Sequence, residues 1–383
     1  MKNTVCKVHC KTIAAVLFGL LLFSLALIGV IQKDKSFSET EKRVLAAFPK
    51  MTFSAVTDGK WEADIEQYVQ DQLPLRNAWV GLYAYFTHFA GQNGTDGVYA
   101  GKDHYILQTP TAENERNLSS NLKYLTDFAD KVQIPAYLLV VPQTGYIFEN
   151  KLPWRHAAYT DDAIMKTVIA KTADSITPVD IRALFSARAG DTQLYYRTDH
   201  HWTSDGAFLA ANAFLQAAGK PQLSSEQFVP ECVEGFRGTT YAKLGMWGEP
   251  ADAMELWHIQ NAKLDVEVSD LGKADVTRAD DVFFREHLEK YDMYPVYLNG
   301  NHSFTHVVND TVQDGVLLLL KDSFGNTIAT ELAAAFHEIW MVDMRYCRTQ
   351  TVSEWIADKN VDTVLICYGM DSIVHDTNIL FLK

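Results

Sequence analysis

The chain has 383 residues, of which 48% are hydrophobic and 21% charged, and its formal net charge is −14 at pH 7. This composition is typical of a globular protein and excludes disorder, collagen-like repeats and coiled coil. Lys and Arg total 34 against 48 Asp and Glu, with no basic run in the folded portion. Nucleic-acid binding is therefore excluded as the main role.

An uncharged apolar run near the N-terminus predicts a membrane-spanning helix over residues 13–31. At about 1.5 Å per residue this run is about 28 Å long, close to the roughly 30 Å hydrocarbon core of a bilayer. Three lysines precede the run, so residues 1–12 are expected to stay cytoplasmic and the rest of the chain to be extracytoplasmic. Cleavage as a signal peptide near Ser24–Ala26 is the alternative. We favour an uncleaved signal anchor, because the apolar run continues from Leu27.

Beyond the anchor, residues 32–60 are polar and predict a stalk, and residues 61–383 predict an extracytoplasmic domain. Apolar spacing in this domain distinguishes helices from buried strands. The predicted helices cover 61–90 (broken at 73–76), 114–132, 161–173, 205–218, 326–338 and 352–357, and the predicted strands cover 136–142, 176–181, 316–320, 339–344 and 361–367.

Residues 220–300 differ from their surroundings, being richer in glycine and charge, and predict an insertion or subdomain. After them, apolar strands alternate with helices, which indicates an α/β fold with a parallel sheet covered on both faces. The extracytoplasmic part contains only Cys232, Cys347 and Cys367. At most one disulfide can form there, so a disulfide scaffold or a zinc module is excluded.

The strongest candidate for chemistry is the segment from Lys321 to Asn326, which follows the 316–320 strand and opens a helix. Ligands of open α/β sheets bind at the carboxyl ends of strands. A Ser323 hydroxyl at that position lies near helix N-terminal N–H groups, which can stabilise an oxyanion. The alternative is that Asp322 or Ser323 only caps the helix.

A serine nucleophile needs a base and a group that orients the base. Asp199 and His201 stand two residues apart at the entry to a helix, so an extended turn brings both side chains to one side. Two alternatives stay open at this point. The adjacent histidines can be ordinary polar residues at a helix start, or they can bind a metal ion with Asp199 or Asp205.

The segment Thr198–Trp202 resembles the signature of DHHW proteins, relatives of alginate O-acetyltransferases of the AlgJ and AlgX type in the SGNH-hydrolase-like superfamily. The occurrence of this segment together with Asp322–Asn326 is a more specific sign of the family than either segment alone. Further similarity lies at Asp71–Arg76, Phe236–Thr239 and Leu298–His302, so the resemblance covers most of the extracytoplasmic part. It implies an SGNH-hydrolase-like parallel sheet flanked by helices, in which the order of the motifs is circularly permuted.

The resemblance also implies roles for individual residues. Ser323 is the expected nucleophile, His201 the general base and Asp199 the carboxylate that orients it. Arg345 and Tyr368 follow the next two predicted strands, where such folds hold oxyanion or substrate-binding groups.

Asn301 is a rival donor to these two, and Trp202, with Trp154 and Trp247, is a candidate for contacts with sugar rings. The sequence departs from classical SGNH enzymes at Lys321, which stands where those enzymes have glycine.

The function implied is O-acetylation of an exopolysaccharide or cell-wall polysaccharide by a membrane-anchored, extracytoplasmic enzyme. The expected partners are the polysaccharide acceptor and a membrane-embedded acetyl donor protein of the MBOAT type. No metal or diffusible cofactor is expected. A carbohydrate acetylesterase and a non-catalytic polysaccharide-binding or assembly protein are the alternatives.

Overall fold

The computed structural model describes residues 2–38, 43–348 and 351–382, which form two compact units. Unit 1 contains the described residues up to Ala90 together with Gly245–Trp247. Unit 2 contains Gly91–Leu244 and the described residues from Gly248 onward.

The helices and strands of unit 1 are short apart from the first helix. In chain order they are α1 (Lys2–Ile31), β1 (Phe37–Ser38), β2 (Arg43–Val44), α2 (Phe53–Thr57), α3 (Lys60–Asp71) and α4 (Arg76–Phe89).

Helix α1 contains a stretch, Lys11–Ile31, that is long and apolar enough to cross a membrane. The predicted anchor at 13–31 is therefore helical throughout. The described part of the predicted stalk contains short elements, since β1 pairs antiparallel with β2 and α2 follows. The predicted break between α3 and α4 is confirmed, and Leu75 takes a left-handed backbone conformation there (φ 58°).

Unit 2 contains a large mixed sheet with helices on both faces. Its strands are β3 (Gly94–Thr95), β4 (Val98–Ala100), β5 (Ile106–Gln108), β6 (Ala136–Val141), β7 (Thr177–Val179), β8 (Phe228–Phe236), β9 (Asp252–Ile259), β10 (Leu264–Ser269), β11 (Val276–Ala279), β12 (Phe304–Asn309), β13 (Val316–Lys321), β14 (Glu338–Val342) and β15 (Thr363–Gly369). Its helices are α5 (Glu115–Val132), α6 (Thr144–Ile147), α7 (Asp161–Thr172), α8 (Arg182–Arg188), α9 (Ser204–Ala217), α10 (Thr239–Leu244), α11 (Phe324–Leu332), α12 (Val352–Trp355) and α13 (Met370–His375).

The large sheet has the strand order β11-β10-β12-β14-β13-β15-β6-β7. Strands β14, β13, β15, β6 and β7 run parallel to one another, which confirms the predicted α/β class. Strands β12, β10 and β11 extend this sheet with antiparallel pairs.

The central strands are apolar on both sides because both faces of the sheet are covered. In β13, Leu317 and Leu319 belong to one buried hydrophobic cluster, while Leu318 and Leu320 belong to the cluster on the opposite face. The side chains of β13 thus join both halves of the core.

Two expectations differ from the structure. The insertion expected over residues 220–300 is not one separate body, because β10 and β11 are strands of the main sheet and 245–247 belong to unit 1. The helix predicted over 326–338 begins at Phe324 and ends at Leu332, since Glu338 already starts the next strand.

Candidate active site

Ser323 lies between the carboxyl end of β13 and the first turn of α11. Asp322 holds this turn: its Oδ1 accepts a hydrogen bond from the Phe324 N–H (3.0 Å) and its Oδ2 accepts one from the Gly369 N–H (2.8 Å). The Ser323 side chain makes no helix-capping hydrogen bond. Asp322 therefore does the capping, and the Ser323 hydroxyl is left for another partner.

That partner is His201. The distance from His201 Nε2 to Ser323 Oγ is 2.7 Å, and the distance from His201 Nδ1 to Asp199 Oδ1 is 2.5 Å. Asp199 is 1% exposed and His201 4%, so both are nearly withdrawn from water, whereas Ser323 is partly exposed. The structure thus joins Asp199, His201 and Ser323 in one hydrogen-bonded chain across 122 residues of sequence separation between histidine and serine.

A tight loop before α9 presents Asp199 and His201. Tyr195 and Trp202 form an isolated antiparallel bridge, which brings the two ends of the loop together. Asp199 Oδ1 also accepts the His201 backbone N–H at 2.9 Å. The spacing of two residues therefore lets one carboxylate oxygen hold both the backbone and the ring of the histidine.

The second oxygen of Asp199 is held by Thr239, at the start of α10. Its Oδ2 accepts hydrogen bonds from the Thr239 backbone N–H (2.5 Å) and hydroxyl (2.9 Å). The preceding Gly238 permits this approach, because an added Cβ there would lie 2.2 Å from Asp199. Residues 236–239 are part of the family resemblance, but nothing in the sequence predicts the contact of Thr239 with Asp199.

Tyr294 is a further residue that sequence analysis missed. Its ring stacks on the His201 imidazole, with centroids 3.8 Å apart and planes 13° apart. Its hydroxyl donates to the Ser323 carbonyl (3.1 Å) and contacts Thr327 Oγ1 (2.9 Å). Burial raises the pKa of Tyr294 well above its ordinary value, so it acts as a neutral phenol. No motif marks this residue in the sequence.

Ser323 opens into a small cleft of about 130 Å³. Pockets that enclose drug-sized ligands occupy roughly 300–1,000 Å³, so this cleft suits a small group. Its lining includes Pro142, Gln143, His200, Ser323, Arg345 and Ser372.

Of the predicted substrate-binding residues, Arg345 alone lines this cleft. Asp343 accepts hydrogen bonds from Arg345 Nε (2.8 Å) and from its terminal nitrogen (2.5 Å). Because the guanidinium has five N–H donors, this pairing orients Arg345 and leaves donors for a ligand.

Asn301 lies beneath the turn and is not among the residues that line the cleft. Its Oδ1 accepts hydrogen bonds from Lys321 Nζ (3.1 Å) and Asn326 Nδ2 (3.1 Å). Lys321 is fully buried, and its Nζ also donates to Asn326 Oδ1 (2.6 Å). Where classical SGNH enzymes have glycine, this chain thus has a buried lysine whose ammonium supports the first turn of α11.

Two other predicted contacts are wrong. Trp202 is fully buried and packs edge-on against Phe324, so it belongs to the core and cannot stack on a sugar. Tyr368 is 1% exposed, and its side chain packs in the hydrophobic cluster that also contains Leu318 and Leu320. The next residue of β15, Gly369, lines the cleft instead.

Ligand atoms of Asp199, His200 and His201 lie within 4.8 Å of one another, so a metal ion is a geometric alternative. Hydrogen bonds to Thr239 and Ser323 already engage Asp199 Oδ2 and His201 Nε2. The Nδ1 atom of His200 contacts the Thr239 hydroxyl at 2.7 Å. The arrangement of these atoms favours proton transfer from Ser323 to His201 over metal binding.

A parallel-rich sheet with a serine, a histidine and an aspartate joined at its carboxyl edge defines an α/β protein of the SGNH-like class. Comparison with known proteins shows what this chain is similar to. Residues 160–342 match the family described as DHHW protein. This match covers slightly less than half of the chain and confirms the resemblance to DHHW proteins inferred from the sequence.

A curated relative is a probable alginate O-acetylase, AlgJ, of Pseudomonas fluorescens. It is 26% identical over 190 residues, which cover 46% of this chain and 48% of the relative. The chain therefore spans about half the length of the curated relatives that it matches.

Two solved structures share the fold. A DHHW family protein from Eubacterium siraeum has a TM-score of 0.64 at 24% identity, covering 76% of this chain and 95% of its own. PatB1 of Bacillus cereus, in a structure with a sulfonyl adduct, has a TM-score of 0.62 at 19% identity, covering 74% and 97%. At these identities the similarity establishes the fold.

Proposed function

We propose that this protein is a membrane-anchored O-acetyltransferase that moves acetyl groups to hydroxyls of an extracytoplasmic polysaccharide through an acyl-enzyme on Ser323. The observation that supports this most directly is the hydrogen-bonded chain from Asp199 through His201 to Ser323 at the mouth of a small cleft. The names of the curated relatives are consistent with this class of reaction.

In the first half-reaction, Ser323 Oγ attacks the carbonyl carbon of a donor acetyl ester while His201 Nε2 takes the serine proton. Collapse of the tetrahedral intermediate breaks the bond to the donor oxygen, and His201 returns its proton to that oxygen. Asp199 stabilises the imidazolium and keeps Nδ1 protonated. The products are the deacylated donor alcohol and an acetyl ester on Ser323.

In the second half-reaction, His201 removes the proton of a sugar hydroxyl, and the sugar oxygen attacks the acetyl carbon. The Ser323 oxygen leaves and regains a proton from His201. Arg345 is the residue we assign to binding the acetyl carbonyl or a sugar oxygen, since its guanidinium lines the cleft and is held by Asp343. Positive donors fixed before the reaction stabilise developing oxyanion charge.

Helix α1 would hold the domain at the outer surface of the membrane, where acetyl-CoA is absent. An acetyl group must therefore cross the bilayer, and we assign its delivery to a membrane-embedded acyltransferase of the MBOAT type. The polysaccharide is the acceptor in this scheme.

The experiment that tests the proposal is acetylation of the full-length protein in detergent by an activated acetyl ester. Intact mass should show one added acetyl group on the wild type and none on Ser323→Ala or His201→Ala. Ser372→Ala is a matched control, because Ser372 lines the same cleft and lies outside the hydrogen-bonded chain. An adduct that persists in Ser323→Ala would refute the assignment.

Adding candidate polysaccharides to the acylated protein then separates transfer from hydrolysis. Appearance of acetylated glycan supports the transferase. Release of free acetate at the same rate with and without glycan would indicate an esterase, and a well-folded protein without any adduct would indicate a binding or assembly role.

A further inference from the structure

Helix α4 of unit 1 has an apolar face that the described residues leave uncovered. The exposed side chains on it are Leu75, Trp79, Leu82, Tyr83, Phe86 and Phe89, the first of these at the residue just before the helix. At about 100° per residue they all fall within an arc of roughly 120°. Single exposed apolar residues are ordinary, but a contiguous face of this kind marks a site of interaction.

The opposite face of α4 is already used within unit 1. Gly81 and Ala84 are buried there, and an added Cβ at Gly81 would lie 1.8 Å from the indole ring of Trp247. The Tyr85 ring also packs edge-on against Trp247, with centroids 5.2 Å apart. The helix is therefore held through one face while the other is presented outward.

The break between α3 and α4 is attached to the end of α1, just before α4 begins. The Gln32 side chain donates to the Gln72 carbonyl, and Gln72 exchanges two further hydrogen bonds with the backbone of Lys35, at 3.0 and 2.9 Å. An added Cβ at Gly29 would lie 3.7 Å from Pro74. Because the apolar stretch of α1 ends at Ile31, these contacts place the start of α4 at the edge of the hydrocarbon layer that α1 would cross.

The residue types on this face fit the boundary between lipid and water. Trp and Tyr are enriched at that boundary because their rings are apolar and their N–H or O–H groups are polar. An amphipathic helix that binds at the membrane surface lies in the plane of the interface with its apolar face toward the lipid. In α4, Trp79 and Tyr83 lie together along one edge of the face, beside the aliphatic and phenylalanine side chains.

We propose that α4 rests on the outer surface of the bilayer crossed by α1, with the face from Leu75 to Phe89 inserted among the lipid headgroups. This contact would fix unit 1 against the membrane at two places, α1 and α4. The proposal depends on α1 spanning the membrane and does not depend on the reaction proposed for Ser323.

The test uses the full-length protein in vesicles of phosphatidylcholine and phosphatidylglycerol, with single nitroxide labels read by power-saturation EPR. Labels are attached at Phe86→Cys, at His88→Cys and at Val16→Cys in separate proteins. His88 is exposed about 200° around the same helix from Phe86 and serves as the matched control. The background carries serine at Cys6, Cys10 and Cys232, and retains the buried Cys347 and Cys367.

We expect the Phe86 label to be severalfold more accessible to oxygen than to a water-soluble nickel complex, and the His88 label to show the reverse. The Val16 label should be deeper in the bilayer than both. Equal exposure of the Phe86 and His88 labels to nickel would overturn the proposal. So would spin–spin broadening at Phe86 without oxygen access, which would indicate a second copy of the chain on this face. A Val16 label that remains accessible to nickel would remove the premise about α1 and with it the proposal.

Discussion

The buried Lys321 predicts an unusual dependence of stability on pH. Lys321 is 1% exposed, and burial lowers its pKa from 10.5 to about 8. Its ammonium has partial compensation from Asn301 and Asn326 and from Asp343 Oδ2 at 3.6 Å. Folding therefore disfavours the charged form of this lysine despite three polar neighbours.

The sign of the effect follows from proton binding in the two states. Between pH 8 and pH 10.5 the unfolded lysine holds its proton while the folded lysine releases it. The free energy of unfolding therefore rises with pH across this window, and the contribution is flat below it, where both states are protonated. The size is roughly 3 kcal/mol, at about 1.36 kcal/mol for each pH unit between the two pKa values.

The perturbation is Lys321→Met, which keeps an unbranched side chain of similar length and removes the titrating group. The variant leaves Asn326 Oδ1 without its ammonium partner, which lowers the free energy of unfolding by about 1–3 kcal/mol. Removal of the buried charge offsets this loss, because the charge no longer has to be taken out of water. Near pH 7 we therefore expect the two proteins to differ little in stability. The stability of the wild type relative to the variant should therefore increase by roughly 2 kcal/mol between pH 7.5 and pH 10, which is most of the full effect.

The assay is chemical unfolding of both proteins at several pH values between 7 and 10, followed by tryptophan fluorescence. The difference between wild type and variant removes the contributions of all other titrating groups. Lys123→Met, which removes an exposed lysine, is the control. A difference that stays constant or falls as pH rises would refute the argument that burial disfavours the Lys321 charge.

The remaining predictions concern the groups around His201 and are measured as the rate of acetyl-adduct formation. Asp199→Asn should slow acylation by roughly 10³–10⁴-fold, because an amide cannot hold the ring with Nδ1 protonated. Thr239→Val removes one donor to Asp199 Oδ2, a loss of about 1 kcal/mol that should slow the reaction by roughly fivefold. Gly238→Ala should be far more damaging than Thr239→Val, since its Cβ would lie 2.2 Å from Asp199 and displace the carboxylate. Tyr294→Phe should retain most of the rate, and Tyr294→Leu should lose more, because only the leucine removes the ring stacked on His201; equal rates for the two would contradict the role of the ring.

Much of the parallel sheet could be predicted because its signals are local. Residues 316–320 are uniformly apolar, and this pattern is sufficient for a strand covered on both faces. The turn that follows carries Ser323, and the spacing of Asp199 and His201 sufficed to predict that these two side chains meet. Their contact with Ser323 came only from the family resemblance, since no local pattern relates residues so far apart.

The misassigned residues show where local patterns fail. Tyr368 and Gly369 both end β15, and the alternation of side chains along a strand allows only one of the two positions to face the cleft. The sequence does not determine which one, because strand register depends on neighbours. Tyr294 and Thr239 reach His201 and Asp199 from residues 220–300, where the path of the chain is set by long-range contacts.

The topology explains how a permuted order of motifs can still build one site. Strands β14, β13, β15 and β6 are parallel neighbours, so the segments after them meet at one edge of the sheet. Arg345, Ser323, Met370 and Pro142 follow these strands in that spatial order, and all four line the cleft. The base and its carboxylate come instead from the loop before α9, a helix that packs against α11. Chain order is thus free to vary, because the site requires only that this loop and the turn after β13 approach the same edge.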